Sequence, residues 1–103
     1  MKQLTPDERA QALATLPDWQ HSDTRGGLIS RTFQFADFTA AFGFMTQLAL
    51  VAERMNHHPE WSNVYGRVEI KLTTHDAGGL TTRDIELALA ADRSYANFKH
   101  PAA

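Results

Sequence analysis

Glu53-Arg54-Met55-Asn56-His57-His58-Pro59-Glu60-Trp61 is the stretch in which the chain changes its period. Before it, apolar residues recur at helical spacing from Phe38 to Met55; after it, in Val68-Glu69-Ile70-Lys71-Leu72, they alternate with polar ones. Pro59 marks the change, because a proline disfavours α backbone in the residue before it. The helix is expected to end between Met55 and His57, and His57 and His58 to leave it in extended backbone. Adjacent extended residues point to opposite faces. A metal ion shared by the pair would be awkward, whereas two separate proton-transfer positions around a flat substrate would be natural. Unperturbed imidazoles titrate near neutrality, so both can give or take protons at physiological pH. A His-His-Pro run also suits an ordinary helix terminus, where histidines lie near the last carbonyls.

Upstream of this junction, Asp37 is placed to cap the helix, and Phe38, Ala41, Phe42, Phe44, Met45, Leu48, Ala49, Val51, Ala52 and Met55 spread over an arc of about 180°. One core requires a stripe of only about 100°. The surplus implies that this helix covers its own sheet and also meets a second surface, most simply another subunit. Glu53 lies at the edge of the arc, one turn before His57, as a solvated carboxylate or as one that biases a histidine or holds a substrate nitrogen. Farther upstream, Trp19-Gln20-His21-Ser22 and Leu28 to Phe35 flank Asp23-Thr24-Arg25-Gly26-Gly27 and read as a β-hairpin. Ile29, Arg31, Phe33 and Phe35 share one face of its second arm. Trp19 is a core residue or the rim of a ligand cleft. Thr5-Pro6-Asp7-Glu8 opens a first helix by a capping box, running to about Ala14 and serving packing.

Downstream, Glu60 to Tyr65 and Val68 to Thr74 read as two strands about a Gly66-Arg67 turn, with Trp61 and Tyr65 packing on one face. A loop through His75-Asp76-Ala77-Gly78-Gly79 follows. Thr81 then caps a last helix that reaches about Ser94 or Tyr95, with Asp84 at the capping-box position and Leu80 stapling against Ile85. Residues from about 96 to 103 read as a loose tail. Two junctions therefore carry imidazole, the one with His57 and His58 and the one with His75.

The 103 residues suit one domain, 1–103, with ordinary hydrophobic (43%) and charged (21%) content. A net charge of −2 leaves no basic footprint for nucleic acid. The absence of cysteine removes disulfides, thiolate nucleophiles and thiolate metal sites. No apolar stretch reads as a signal core or a membrane span, so a soluble cytoplasmic protein is the default. The histidines also lack the His-x-x-x-His or His-Glu-x-x-His spacing that brings two imidazoles to one ion.

Glu53-x-x-x-His57-His58-Pro59-x-Trp61, then Asn63-Val64-Tyr65, then Thr74-His75-x-x-x-Gly79-Leu80-x-x-x-Asp84, resembles the pterin-4a-carbinolamine dehydratase family. The similarity extends from about Trp19 to about Ala88 and includes Phe33-x-Phe35-x-Asp37-Phe38 and Ala41-Phe42-Gly43-Phe44-Met45. The resemblance implies an α+β fold, a four-stranded antiparallel sheet with helices packed on one face in the order α-β-β-α-β-β-α. It implies dehydration of 4a-hydroxytetrahydrobiopterin, or a related pterin carbinolamine, to quinonoid dihydropterin, with no metal or redox cofactor. His57, His58, His75 and Asp84 would be catalytic, Asp84 by holding a histidine's tautomer. Glu53, His57, His58, Pro59, Thr74, His75, Asp76 and Ala77 would contact substrate. A homodimer or homotetramer and a functional link to an aromatic amino acid hydroxylase are also implied. Animal members additionally serve as dimerisation partners of a homeodomain transcription factor, so an interaction module is the alternative, ahead of a histidine-based metal hydrolase. Asn56 stands where animal members carry Asp and Gly78 where they carry Ala, and the tail after Ala91 shows no match.

Overall fold

Local chemistry places the three helices. The computed structural model describes residues 2–99. Within them run α1 (Pro6–Leu13), β1 (Gln20–Ser22), β2 (Leu28–Gln34), α2 (Phe38–Met55), β3 (Glu60–Val64), β4 (Arg67–Leu72) and α3 (Thr82–Phe98), the expected α-β-β-α-β-β-α order. Thr5 and Glu8 close a capping box on α1, Asp37 accepts from the Ala40 amide at the start of α2, and Thr81 and Asp84 close a second box on α3.

The four strands are all antiparallel in the order β1-β2-β4-β3. Ser22 pairs with Leu28, Ile29 with Leu72, and Lys71 with Glu60. One end of the sheet thus gathers the β1–β2 turn, the end of β4 and the start of β3. The helix-facing side carries Ile29 and Phe33 of β2 and Val68, Ile70 and Leu72 of β4. These bury against Ala41, Phe44, Leu48 and Ala52 of α2 and Leu87, Ala88 and Ala91 of α3. Phe33 lies at the centre, its ring 4.8 Å from Phe44, 5.0 Å from Tyr95 and 5.9 Å from Trp19.

Trp19 is a core residue, and its indole Nε1–H donates to Asp92 of α3 at 2.9 Å. Arg31 shares the helix-facing side because Asp92 also accepts from its guanidinium at 2.7 Å, while the guanidinium lies over the Phe33 ring at 4.4 Å.

Three expectations need correction. The β3–β4 turn is Tyr65-Gly66, not Gly66-Arg67, because Val64 pairs with Arg67 and the Asn63 side-chain amide donates to the carbonyls of both Tyr65 and Arg67. Tyr65 takes the left-handed position (φ 57) and is 74% exposed instead of packed. Helix α3 runs on through Phe98, where its ring covers Gly43 of α2 so closely that a Cβ there would lie 2.8 Å from it. Residues 96 to 98 are thus helical, and the part of the expected tail after Lys99 lies outside the described residues. α1 has no fully buried residue; it packs on the core through the partly buried Leu13, flanked by the partly buried Leu4 and the fully buried Leu16.

Candidate active site

The two imidazole-bearing junctions meet at the end of the sheet where β3 starts and β4 stops. Helix α2 ends on Asn56, which is left-handed (φ 52, ψ 42). The His57 amide returns to Ala52 O at 3.0 Å and the Asn56 amide to Glu53 O at 3.1 Å, a Schellman closure. Asparagine tolerates this conformation better than most residues. The cap hydrogen bonds at this position are made by its backbone, so Asn in place of Asp leaves them intact.

The closure turns His57 inward, where the residue is 8% exposed, and leaves His58 outside. His57 Nε2–H donates to Asp84 Oδ1 at 2.6 Å. Asp84 is fully buried at the third position of α3, and its Oδ2 accepts from the Thr81 amide at 2.9 Å and the Thr74 hydroxyl at 2.8 Å. The Thr74 proton is used on Asp84, so the Thr81 hydroxyl donates to Thr74 Oγ1 at 2.8 Å. A buried carboxylate with three donors and a helix N-terminus behind it is a stable acceptor. With Nε2–H committed to it, Nδ1 of His57 is the nitrogen left for proton transfer.

Glu53 lies one turn before His57 in sequence, yet its carboxylate accepts from His58 Nε2–H at 2.8 Å, because the left-handed residue redirects the chain. Both partners are largely exposed. Pro59 follows, and β3 begins directly after it.

His75 opens a 3-10 turn, His75–Ala77, that is pinched at its base by a Thr74–Gly79 bridge. Its imidazole is exposed. The Thr74 amide donates to Gly79 O at 3.1 Å, and the Thr74 carbonyl accepts from Ala77 and Gly79. Within this loop the amides of His75 and Asp76 have no backbone partner among the described residues. Thr74 therefore joins the two junctions by its side chain, through Asp84 to His57, a contact for which residue spacing carries no signal.

Sequence reading also missed two residues beside the site. Arg25, left-handed in the β1–β2 turn (φ 55), donates from both guanidinium nitrogens to Glu60, at 2.9 and 3.0 Å. The Glu60 carboxyl is held below its ordinary range first by that hydrogen bond and further by the charges of Arg25, Lys71 and His75. Among the described residues no group of three His, Asp or Glu side chains is placed to share a metal ion, and no helix is long and apolar enough to cross a membrane.

The family model described as Pterin 4 alpha carbinolamine dehydratase matches residues 2–94. A Rhizorhabdus wittichii protein provisionally named a pterin-4-alpha-carbinolamine dehydratase is 61% identical over 86% of this chain and 91% of its own. A similarly named Bradyrhizobium diazoefficiens protein is 58% identical over 86% of this chain and 88% of its own. The crystal structure of a Brucella melitensis protein described as a transcriptional coactivator/pterin dehydratase is 46% identical, with a TM-score of 0.86 over 91% of this chain and 99% of that one. A pterin dehydratase-like protein described as a RuBisCO assembly factor in the α-carboxysome shares the fold, with a TM-score of 0.66 at 19% identity over 76% of this chain and 89% of that one.

Proposed function

The chain belongs to the pterin 4 alpha carbinolamine dehydratase family, and from that premise we propose that it dehydrates a pterin 4a-carbinolamine such as 4a-hydroxytetrahydrobiopterin by imidazole acid/base catalysis. The observation that carries this reading is the buried His57–Asp84 pair, beside a loop that presents His75. Loss of water from C4a needs a proton on the departing hydroxyl, and formation of the C4a=N5 bond needs loss of the proton on N5. The two transfers balance: one proton is taken, one is given, and water leaves. Each is worth about 10²–10⁴-fold when a positioned group performs it.

In this reading Asp84 fixes the His57 tautomer with Nε2 protonated and stabilises the imidazolium that forms when Nδ1 takes a proton. Glu53 does the same for the exposed His58. His75 is the third imidazole. The unpartnered amides of His75 and Asp76, with the Ala77 backbone, meet the polar edge of the pterin; Thr74 contributes by holding Asp84, and Pro59 shapes the wall. Recycling of the pterin used by a hydroxylase is the corresponding physiological role.

A protein-interaction reading rests on a separate observation. Phe38, Phe42 and Leu50 on α2 are 46%, 56% and 64% exposed, more apolar surface than one sheet requires. A homodimer or homotetramer covers that face in the first instance. The reaction is tested by following enzymatically generated carbinolamine with and without purified protein. Acceleration above the spontaneous rate is expected; no acceleration leaves the interaction reading in its place.

A further inference from the structure

The β1–β2 turn, Asp23 to Gly27, lies at the same end of the sheet as both imidazole-bearing junctions and touches each of them. On one side, Arg25 reaches past β4 to Glu60, two interstrand spacings away or about 10 Å. Glu60 is the second residue after His58. On the other side, Gly26 sits directly against the His75 loop. A Cβ on Gly26 would lie 1.9 Å from Gly78 O, and one on Gly79 would lie 2.6 Å from Gly26 O. Gln3 Nε2–H donates to Gly26 O at 3.0 Å, and the Thr73 hydroxyl donates to Gly27 O at 2.7 Å. Arg25 is one of three non-glycine residues with positive φ among those described, and such conformations persist where surrounding contacts over-determine them.

We propose that this turn is a clamp that sets the distance between the His58 and His75 junctions, with Arg25 and Glu60 as positioning residues for the reaction. The inference rests on the dehydratase reading for its catalytic consequence and on the contacts alone for its mechanical one. The pair is exposed, so its removal leaves the core intact; what it fixes is the start of β3 relative to the turn, and through Gly26 relative to the His75 loop. A misplacement of about 1 Å at a reacting group is enough to cost rate without costing binding.

The test is a double-mutant cycle of Arg25→Gln, Glu60→Gln and the double variant, read by steady-state carbinolamine dehydration and by NMR of the His75 ring and the Thr74–Gly79 amides. Each single variant is expected to lower kcat by about three- to fivefold, the range an exposed ion pair can supply, with KM little changed. Each is also expected to shift the His75 and Gly78–Gly79 resonances. The double variant is expected to be no worse than either single one. Arg25→Lys, which keeps the charge but loses the fork, should recover only part of the rate. Unmoved His75-loop resonances in Arg25→Gln, or losses that add in the double variant, would overturn the clamp. If wild type fails to accelerate dehydration while the resonances still move together, the clamp stands and the dehydratase reading falls.

Discussion

Asp84→Asn separates the two roles that the Asp84 side chain can play. The amide is isosteric, and its oxygen can still accept from the Thr81 amide and the Thr74 hydroxyl, so helix α3 keeps its cap. Its nitrogen then faces His57 Nε2, where two donors meet at the 2.6 Å now spanned by one hydrogen bond. The conflict is relieved only if His57 moves its proton to Nδ1, which turns the nitrogen left for proton transfer from an acceptor into a donor. Exchanging a charge-assisted bond for a neutral one costs about 1–2 kcal/mol of stability, or a fall in Tm of roughly 5–15 °C for a domain of this size. The kinetic loss is larger. An inverted tautomer forfeits most of what a general acid/base supplies, so kcat should fall by about 10²–10³-fold with KM changed only a few-fold. Carbinolamine dehydration and thermal unfolding on the same samples give both numbers. A Tm loss in that range with kcat within threefold of wild type would refute the reasoning and reduce Asp84 to a helix cap.

Three further expectations concern stability. Phe33→Ala removes the ring at the centre of the aromatic cluster and should cost about 3–5 kcal/mol in denaturant unfolding. Asn56→Gly should leave stability within about 1 kcal/mol of wild type or raise it, whereas Asn56→Val, a β-branched residue at φ 52, should cost about 1–2 kcal/mol; equal effects would contradict the backbone role of this position. Glu60 has a carboxyl pKa lowered chiefly by its hydrogen bond to Arg25, so its contribution is present above the ordinary value of 4.5 and is lost as pH falls through the lower folded value. The advantage of wild type over Glu60→Gln in Tm should therefore be present at pH 6 and shrink in acid below that range; an advantage that grows on acidification would contradict the assignment.

What could be read from residues alone follows the range of the interaction. Thr5, Asp37 and Thr81 announce their helices because a cap is made with amides two or three positions away. Pro59 signals the break by an equally local constraint on His58, although the helix itself ends three residues earlier on the left-handed Asn56. The pairing of His57 with Asp84 joins residues 27 apart, and that of Arg25 with Glu60 residues 35 apart; neither follows from spacing, because both depend on which strands become neighbours. Glu53 illustrates the intermediate case. Helical geometry pointed to His57, and one left-handed residue handed the carboxylate to His58 instead. The β3–β4 turn moved by a residue because Tyr65, not Gly66, took the positive φ under the hydrogen bonds of Asn63.

The claim that imidazoles at this end of the sheet catalyse dehydration is tested most directly by timed assays of carbinolamine disappearance with wild type, His58→Ala and His75→Ala at equal concentrations, each checked for folding. Acceleration by wild type that drops by at least about 10²-fold in a folded histidine variant is the predicted result. Folded variants as fast as wild type would contradict it.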